Sequence, residues 1–211
     1  MVSQSAPRFR YRVEPATASD GPALVEVLAE SFQGYAWTSW IVPAEQHEER
    51  LGALFALTVS DVALPHGDVW VARGPEPEAT VVGGVVVLRP DRPVPAHVWD
   101  AVGRAEAQVL GERLEVANQA EAACGVLRPT GPHLNVATMG VHPAHRRLGV
   151  ARDLLKPVVA LADRLGVTTY LETSSEANVA LYRQAGFSVS GEVEVPGGGP
   201  YVWAMRRGAR A

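Results

Sequence analysis

The sequence predicts an α/β (α+β) domain, and three observations carry that prediction. Strand-like and helix-like segments alternate along the chain. The run Asn135–Ala151 passes from a β-branched strand through a glycine-bearing turn into an amphipathic helix. The composition, 47% hydrophobic and 20% charged over 211 residues, belongs to a folded chain long enough for a substantial core. One domain over residues 8–211 is expected, after a disordered tail at 1–7, with no internal repeat or linker. A net charge of -4 argues against nucleic acid as the partner. No apolar run approaches the roughly 20 residues of a membrane span. The first residues lack an apolar signal core, and the single Cys124 cannot form an internal disulfide. A cytoplasmic protein with no membrane partner follows as the expectation.

Taken in order, Arg8 to Ala16 alternates apolar and charged residues, the period of a half-buried strand. Thr17 to Pro22 reads as a turn and helix start, capped by Ser19 or Asp20. Leu24, Val25, Leu28 and Phe32 form that helix's apolar face, which runs out at Gly34. The next segment to Trp40 reads as an aromatic loop. Its Tyr35, Trp37 and Trp40 either line a pocket for a flat substrate or pack the helix onto the sheet. Pro43 opens a second helix to about Val59, with His47 on its solvated face. Asp68–Arg73 and Glu78–Arg89 read as antiparallel strands, and Gly83-Gly84 marks a bulge or a close backbone approach. Ala96 to Ala123 is helical, as two helices broken near Gly111. Whether its His97 and Trp99 face a core or a pocket stays open.

Beyond the turn, a helix over Gly149–Leu165 has Val150, Leu154, Val158, Leu161, Ala162 and Leu165 on one face, with Pro157 inside it. Thr168–Thr173 reads as a strand, and Thr173-x-x-Glu176 as a capping box for the helix that ends at Gly186. Phe187–Val195 and Tyr201–Arg206 are the last strands, joined by the turn Gly197-Gly198-Gly199-Pro200.

The turn between Val141 and the following helix is an anion site in prospect. Free N–H groups converge at a helix N-terminus, where the dipole adds partial positive charge, and Arg146 and Arg147 suit phosphate oxygens. The spacing Arg146-x-x-Gly149-x-Ala151 resembles the diphosphate-binding signature of the GCN5-related N-acetyltransferases (GNAT). Downstream, Asn178 followed by Leu181-Tyr182 and Gly186-Phe187 is similar to that family's second signature, in the expected order and spacing. Within the family the likeness is to enzymes acting on aminonucleoside antibiotics. Leu171-Glu172-Thr173-Ser174, the in-helix Pro157 and the ending Glu192–Pro196 with Trp203 and Met205 carry it, over roughly the last third of the chain.

The resemblance implies a mixed, mostly antiparallel sheet of about six or seven strands, flanked by helices and splayed between its two central strands. It implies acetyl-coenzyme A as co-substrate, its diphosphate held by main-chain groups of Arg146, Arg147, Leu148, Gly149, Val150, Ala151 and Arg152. Met139, Gly140 and Val141 would pair with the pantetheine arm like an extra strand. Asn178 would contact that arm, and Tyr182 would protonate the departing sulfur. Asn178 and Tyr182, four apart, share a helix face. Glu172 is the candidate base, or else pairs with an arginine such as Arg183 or Arg206; Glu30 is a remoter candidate. Tyr35, Trp37 and Trp40 would position the acceptor, a small-molecule primary amine of the puromycin type. Acetylation of a peptide or protein amine, or acyl-CoA binding without turnover, are the competing expectations. The chain is expected to act as a monomer or homodimer.

Other chemistries find less support. His142 and His145 have a His-x-x-His spacing but flank Pro143 in a turn, without a carboxylate or cysteine to complete a metal set. Cys124 lacks an identifiable base partner. The turn also lacks the three glycines and following acidic residue of a dinucleotide fingerprint.

Overall fold

The computed structural model describes residues 11–75, 77 and 79–210. The expected tail at 1–7 and the start of the first expected strand lie outside them. Among the described residues, seven strands form one sheet in the order β1-β2-β3-β4-β5-β7-β6. They are β1 (Arg12–Pro15), β2 (Asp68–Arg73), β3 (Val81–Leu88), β4 (His133–Val141), β5 (Thr168–Thr173), β6 (Ser188–Glu194) and β7 (Tyr201–Arg207). Only β4 and β5 are parallel; every other pair is antiparallel.

The sheet is covered on both faces, so its central strand is apolar on both sides. In β3, Val86 enters the core under α1 (Gly21–Ser31) and α3 (His47–Ala56), whereas Val85 and Val87 enter the core under α7 (Val150–Leu165). The α7 stripe is the one read from periodicity: Val150, Leu154, Val158, Leu161 and Ala162 are buried, with Leu155 added. Pro157 does not end that helix, which runs to Gly166, a left-handed stop at φ 66. The helical stretch after β3 is also broken where expected, into α5 (Ala96–Leu110) and α6 (Leu114–Gly125).

Three local expectations are corrected, and a fourth is borne out in part. The segment after Gly34 is not a loop: Ala36–Ile41 forms the short helix α2, because the Thr38 hydroxyl ties back to the Phe32 and Tyr35 carbonyls, each at 3.0 Å. Asp20 holds the N-cap position of the first helix, one of the two residues expected there, but its side chain makes no cap bond to α1 and reaches back to Thr17 instead. Thr17 N–H donates to Asp20 Oδ2 at 2.8 Å in a reciprocal capping box before a single 3-10 turn. The helix expected from Pro43 begins only at His47, after Gln46 in a left-handed conformation. It continues past Val59 as a π-helical stretch, Leu57–Ala63, and the single turn α4 (Leu64–His66). Thr173 makes no capping box. It ends β5, and α8 (Glu176–Gln184) starts after Ser175.

Gly83-Gly84 is a close approach. A Cβ on Gly84 would sit 2.4 Å from Leu24 Cδ1 and 3.1 Å from the Trp70 carbonyl oxygen. Gly140, next to Gly84 across the β3–β4 ladder, is as tight: a Cβ there would lie 2.2 Å from Ser31 Oγ. The paired glycines let α1 settle directly on the backbone of β3 and β4, which sets the height of the loop that follows α1.

The chain end is anchored by charge. Arg207, 5% exposed, donates to both carboxylate oxygens of Asp163 on α7, at 2.8 and 2.9 Å, and the Arg210 N–H adds a third bond at 2.8 Å.

Gly84→Ala is expected to destabilise the protein by about 1–3 kcal/mol, because Leu24 is fully buried and has no free volume to move into; urea unfolding measures it. The Arg207 and Arg210 bonds hold the Asp163 carboxyl down to about 2. A depressed carboxylate pKa stabilises above the unfolded value of about 3.9 and loses that contribution as pH falls through the folded value. The stability gap between wild type and Asp163→Asn should therefore be full at pH 5 and above and close as pH falls toward about 2. A gap independent of pH in acid titrations would contradict this role for Asp163.

Candidate active site

β4 and β5 pair only at His133–Thr168, Leu134–Thr169 and Asn135–Tyr170. Above Asn135 the strands diverge, helped by an irregularity where Val86 and Val87 face Thr138 and Val136. The rest of β4 thus has β3 on one side and a gap on the other. The His142 N–H donates to the Val82 carbonyl at 2.9 Å. With the two-residue alternation of an antiparallel ladder, Gly140 faces β3 as well, and the N–H and C=O groups of Met139 and Val141 face the gap.

Where β4 ends, the chain turns through Pro143–His145 and reaches α7. Arg147 at φ 61 and Gly149 at φ 87 both adopt left-handed conformations, which wind the turn so that successive N–H groups point outward. The N–H groups of Arg147 through Arg152 have no backbone acceptor among the described residues. Arg146 already has two of its side-chain nitrogens engaged. Its Nη2 donates to the Ser31 carbonyl at 2.7 Å and its Nε to the Val141 carbonyl at 3.3 Å, which fastens the turn to α1 and β4. Arg147 and Arg152 remain exposed beside the turn. The turn, the Met139–Val141 strand end and the α8 face bearing Asn178 and Tyr182 line a groove of about 800 Å³.

A second cavity of about 220 Å³ lies across the sheet gap, lined by Trp37, Thr138, Glu172, Ser174, Glu121 and Arg128 among others. Phe32, Tyr35, Met139, Asn178 and Tyr182 line both spaces. Tyr182 therefore stands at the junction. It is 6% exposed, packs at 5.8 Å against Phe187, and burial, then the neighbouring Tyr35, pushes its phenol above the usual value. It is a protonated donor throughout the neutral range.

The hydroxyl of Tyr35 is engaged. It accepts the Ser174 N–H at 2.7 Å and pairs with Thr173 Oγ1 at 3.0 Å, and the same Oγ1 accepts from Asn178 Nδ2 at 3.2 Å. This knot ties the loop after α1 to the end of β5 and the start of α8. Tyr35 thus shapes the junction with its ring and holds it with its hydroxyl. Glu172 faces the smaller cavity, accepts from the Tyr170 hydroxyl at 2.7 Å, and has Arg128 Nε 3.4 Å from its carboxylate. The arginine anticipated beside it was Arg183 or Arg206. Instead Arg206 donates to the Leu127 carbonyl at 2.7 Å.

Trp37 lines the smaller cavity, but Trp40 does not reach it. Its ring lies under the Arg113 guanidinium at 4.9 Å and against the turn at Gly199. Glu30 pairs with His142 Nε2 at 2.7 Å, and His145 with the Tyr11 hydroxyl at 3.2 Å. Trp99 is 46% exposed and belongs to neither core nor pocket. Burial, together with Glu172 and Glu121, pushes the Cys124 thiol up to about 12, the opposite of an activated nucleophile. Arg128, Glu121, Thr173 and Ser174 went unrecognised as cavity residues in the sequence. Glu121 and Arg128 fall in no spaced motif, Thr173 and Ser174 read only as a helix cap and part of the family likeness, and only the turn after α6 brings Arg128 to β5.

A groove with outward main-chain N–H groups at one end and an open strand edge at the other fits the diphosphate and the amide-bearing arm of acetyl-CoA. A model of the Acetyltransferase (GNAT) family matches residues 29–187, and the chain belongs to that family. It is similar in structure to the histone acetyltransferase HPA2-related acetyltransferase of Corynebacterium glutamicum, with 26% identity, a TM-score of 0.74 and coverage of 95% of this chain and 97% of that one. It also shares its fold with the Drosophila melanogaster polyamine N-acetyltransferase, at 18% identity, TM-score 0.57 and coverage of 94% and 100%. The same holds for the Salmonella typhimurium protein YncA, solved with acetyl-CoA, at 16% identity, TM-score 0.53 and coverage of 96% and 95%. The chain is an acetyl-CoA-dependent N-acetyltransferase.

Because Arg146 fastens the turn to α1 and β4, Arg146→Ala should loosen an arrangement of main-chain donors. Acetyl-CoA affinity is expected to fall about tenfold, equivalent to about 1.4 kcal/mol, by calorimetry. An unchanged affinity would show that the turn holds its shape without that clamp.

Proposed function

We propose that this protein transfers acetyl directly to the primary amine of a small molecule, of the aminonucleoside (puromycin-like) class. The observation that carries the proposal is the meeting of the two spaces at Tyr182, Asn178 and Met139: donor and acceptor would enter from opposite sides and touch there. For the acceptor class, the support is an aromatic wall of Phe32, Tyr35 and Trp37 beside a carboxylate, matching a flat ring system that carries one ammonium. The sequence likeness to puromycin N-acetyltransferase points the same way. No described helix is long and apolar enough to cross a membrane. We place the enzyme in the cytoplasm, acting as a monomer or homodimer on a small amine and not on nucleic acid.

Bound acetyl-CoA supplies an acyl group activated as a thioester. The N–H groups of Arg147–Arg152 would hold the diphosphate, and Met139 and Val141 the arm, so that the acyl carbon is presented at the gap. The Val141 N–H is the main-chain donor available to the carbonyl oxygen as negative charge develops on it. Glu172 would take the proton from the acceptor's ammonium, directly or through water, leaving a neutral amine to attack. As the carbon–nitrogen bond forms and the carbon–sulfur bond breaks, Tyr182 would give its proton to the leaving sulfur. Glu172 releases its first proton to bulk water; the nitrogen sheds its second proton as the intermediate collapses to the amide, and that proton restores the phenol by way of water.

The energetics tolerate this assignment. An ordinary phenol and thiol differ by about 1.5 pKa units, or about 2 kcal/mol against the transfer. Burial of Tyr182 raises its side of that difference, but the same dry surroundings raise the basicity of the departing thiolate as well.

Tyr182→Phe is expected to lower kcat by about 10²–10⁴-fold while leaving the affinity for acetyl-CoA within about twofold. Thiol release with acetyl-CoA, followed across puromycin, agmatine, simple alkylamines and a lysine-bearing peptide, tests the acceptor. Turnover of puromycin ahead of the others is expected. Preference for the peptide would move the protein to the protein-acetylating class, and tight acetyl-CoA binding without any transfer would make it a binding module.

A further inference from the structure

The smaller cavity holds charges that the proposed chemistry does not use. Glu172 would be the base, but Glu121 on α6 and Arg128 just beyond it also line the space. Arg128 joins the two carboxylates: its Nη2 donates to Glu121 and its Nε lies 3.4 Å from Glu172 Oε1. The Glu121 and Arg128 side chains are 53% and 40% exposed, whereas Tyr182 is 6% exposed. The reacting amine belongs at the buried junction, and whatever the acceptor carries at its other end meets Glu121 and Arg128 at the open side.

Arg128 is held there by its surroundings. Its N–H donates to the Gly125 carbonyl at 3.2 Å, the Arg206 guanidinium grips the Leu127 carbonyl, and the Leu127 side chain presses on Gly191, where an added Cβ would lie 2.8 Å from Leu127 Cδ2. Negative charge is in surplus around it. Glu106 on α5 has its carboxyl pushed up, first by burial and then by Glu121. The lining as it stands carries one charge more of carboxylate than of guanidinium.

We infer that Arg128 is the residue that sets acceptor charge: by occupying Glu121 it admits amines bearing a single positive charge and turns away diamines, whose second ammonium would need Glu121 for itself. The inference rests on the small-amine acetyltransferase reading and narrows it, since an aminonucleoside of the puromycin type presents one ammonium on an otherwise uncharged body. Electrostatic selection of this kind works through the partner that is refused as much as through the one that is bound.

The test uses the full-length enzyme with hexylamine and 1,6-diaminohexane, each measured as acceptor by thiol release and as inhibitor of the best acceptor found. Wild type should favour hexylamine, and Arg128→Gln should shift the ratio of kcat/KM, or of inhibition constants, toward the diamine by about tenfold or more. Arg128→Lys, which keeps the charge, should hold the wild-type preference. Glu121→Gln, which leaves Arg128 facing Glu172 alone, should raise KM for both amines. Acetyl-CoA affinity and thermal midpoint confirm that each variant is folded. An unmoved ratio in Arg128→Gln, or an unchanged hexylamine KM in Glu121→Gln, with acetyl-CoA binding intact, overturns the inference and leaves the acetyltransferase reading standing. Absence of thiol release from wild type with every amine, while acetyl-CoA still binds, overturns that reading itself and the inference with it.

Discussion

The architecture depends on two neighbouring strands that stop hydrogen-bonding halfway. Once β4 and β5 separate beyond Asn135, the upper half of β4 keeps its ladder to β3 and leaves the opposite edge unmade. Unsatisfied main-chain groups inside a protein are costly; this edge lines an open groove, where water or a bound arm can serve it, and the Val141 carbonyl already accepts from Arg146. Here the gap is wedged from above by the Tyr35–Thr173–Ser174 knot and from the side by α8, and the strand cannot relax back onto its neighbour. The groove and the smaller cavity meet at this one interruption, and Tyr182 of α8 lines both.

The two spaces have opposite electrical character, and for different reasons. The donor side is positive mainly through its backbone: outward N–H groups, a helix N-terminus, and the exposed guanidinium groups of Arg147 and Arg152. The acceptor side is set by side chains, Glu121 and Glu172 against Arg128. A main-chain anion site tolerates changes of side chain provided the winding survives. Leu148 and Ala151 both sit in the turn, and the groove is formed around them.

How much of this was legible in the sequence follows the range of the forces involved. The α7 stripe, the β2–β3 hairpin, the break at Gly111 and the Arg146–Ala151 turn depend on neighbours close in the chain, and periodicity and turn chemistry expose them. Asn178 and Tyr182 were readable through spaced motifs, and both reach the junction. Misread were the features decided at long range. Thr38 and its carbonyl partners fold the aromatic segment into α2, which sends Trp37 to the cavity and Trp40 to Arg113. The partner of Glu172 could not be found from spacing, because Arg128 precedes it by a whole strand, helix and turn. The twin glycines at 83 and 84 signalled a close approach, but only the packing names Leu24 as what approaches.

The helical hairpin α5–α6, inserted between β3 and β4, supplies Glu121 and leads into Arg128, yet contributes nothing to the donor groove. On the function proposed above, recognition of what is acetylated would be partly housed in one continuous, mostly solvent-facing excursion of the chain, and the machinery handling the thioester would be spread over the sheet and its flanking helices. Mutational drift, or a graft from a relative, could remodel that excursion wholesale without touching the lining of the larger groove. A lineage built this way can change its clientele faster than its chemistry.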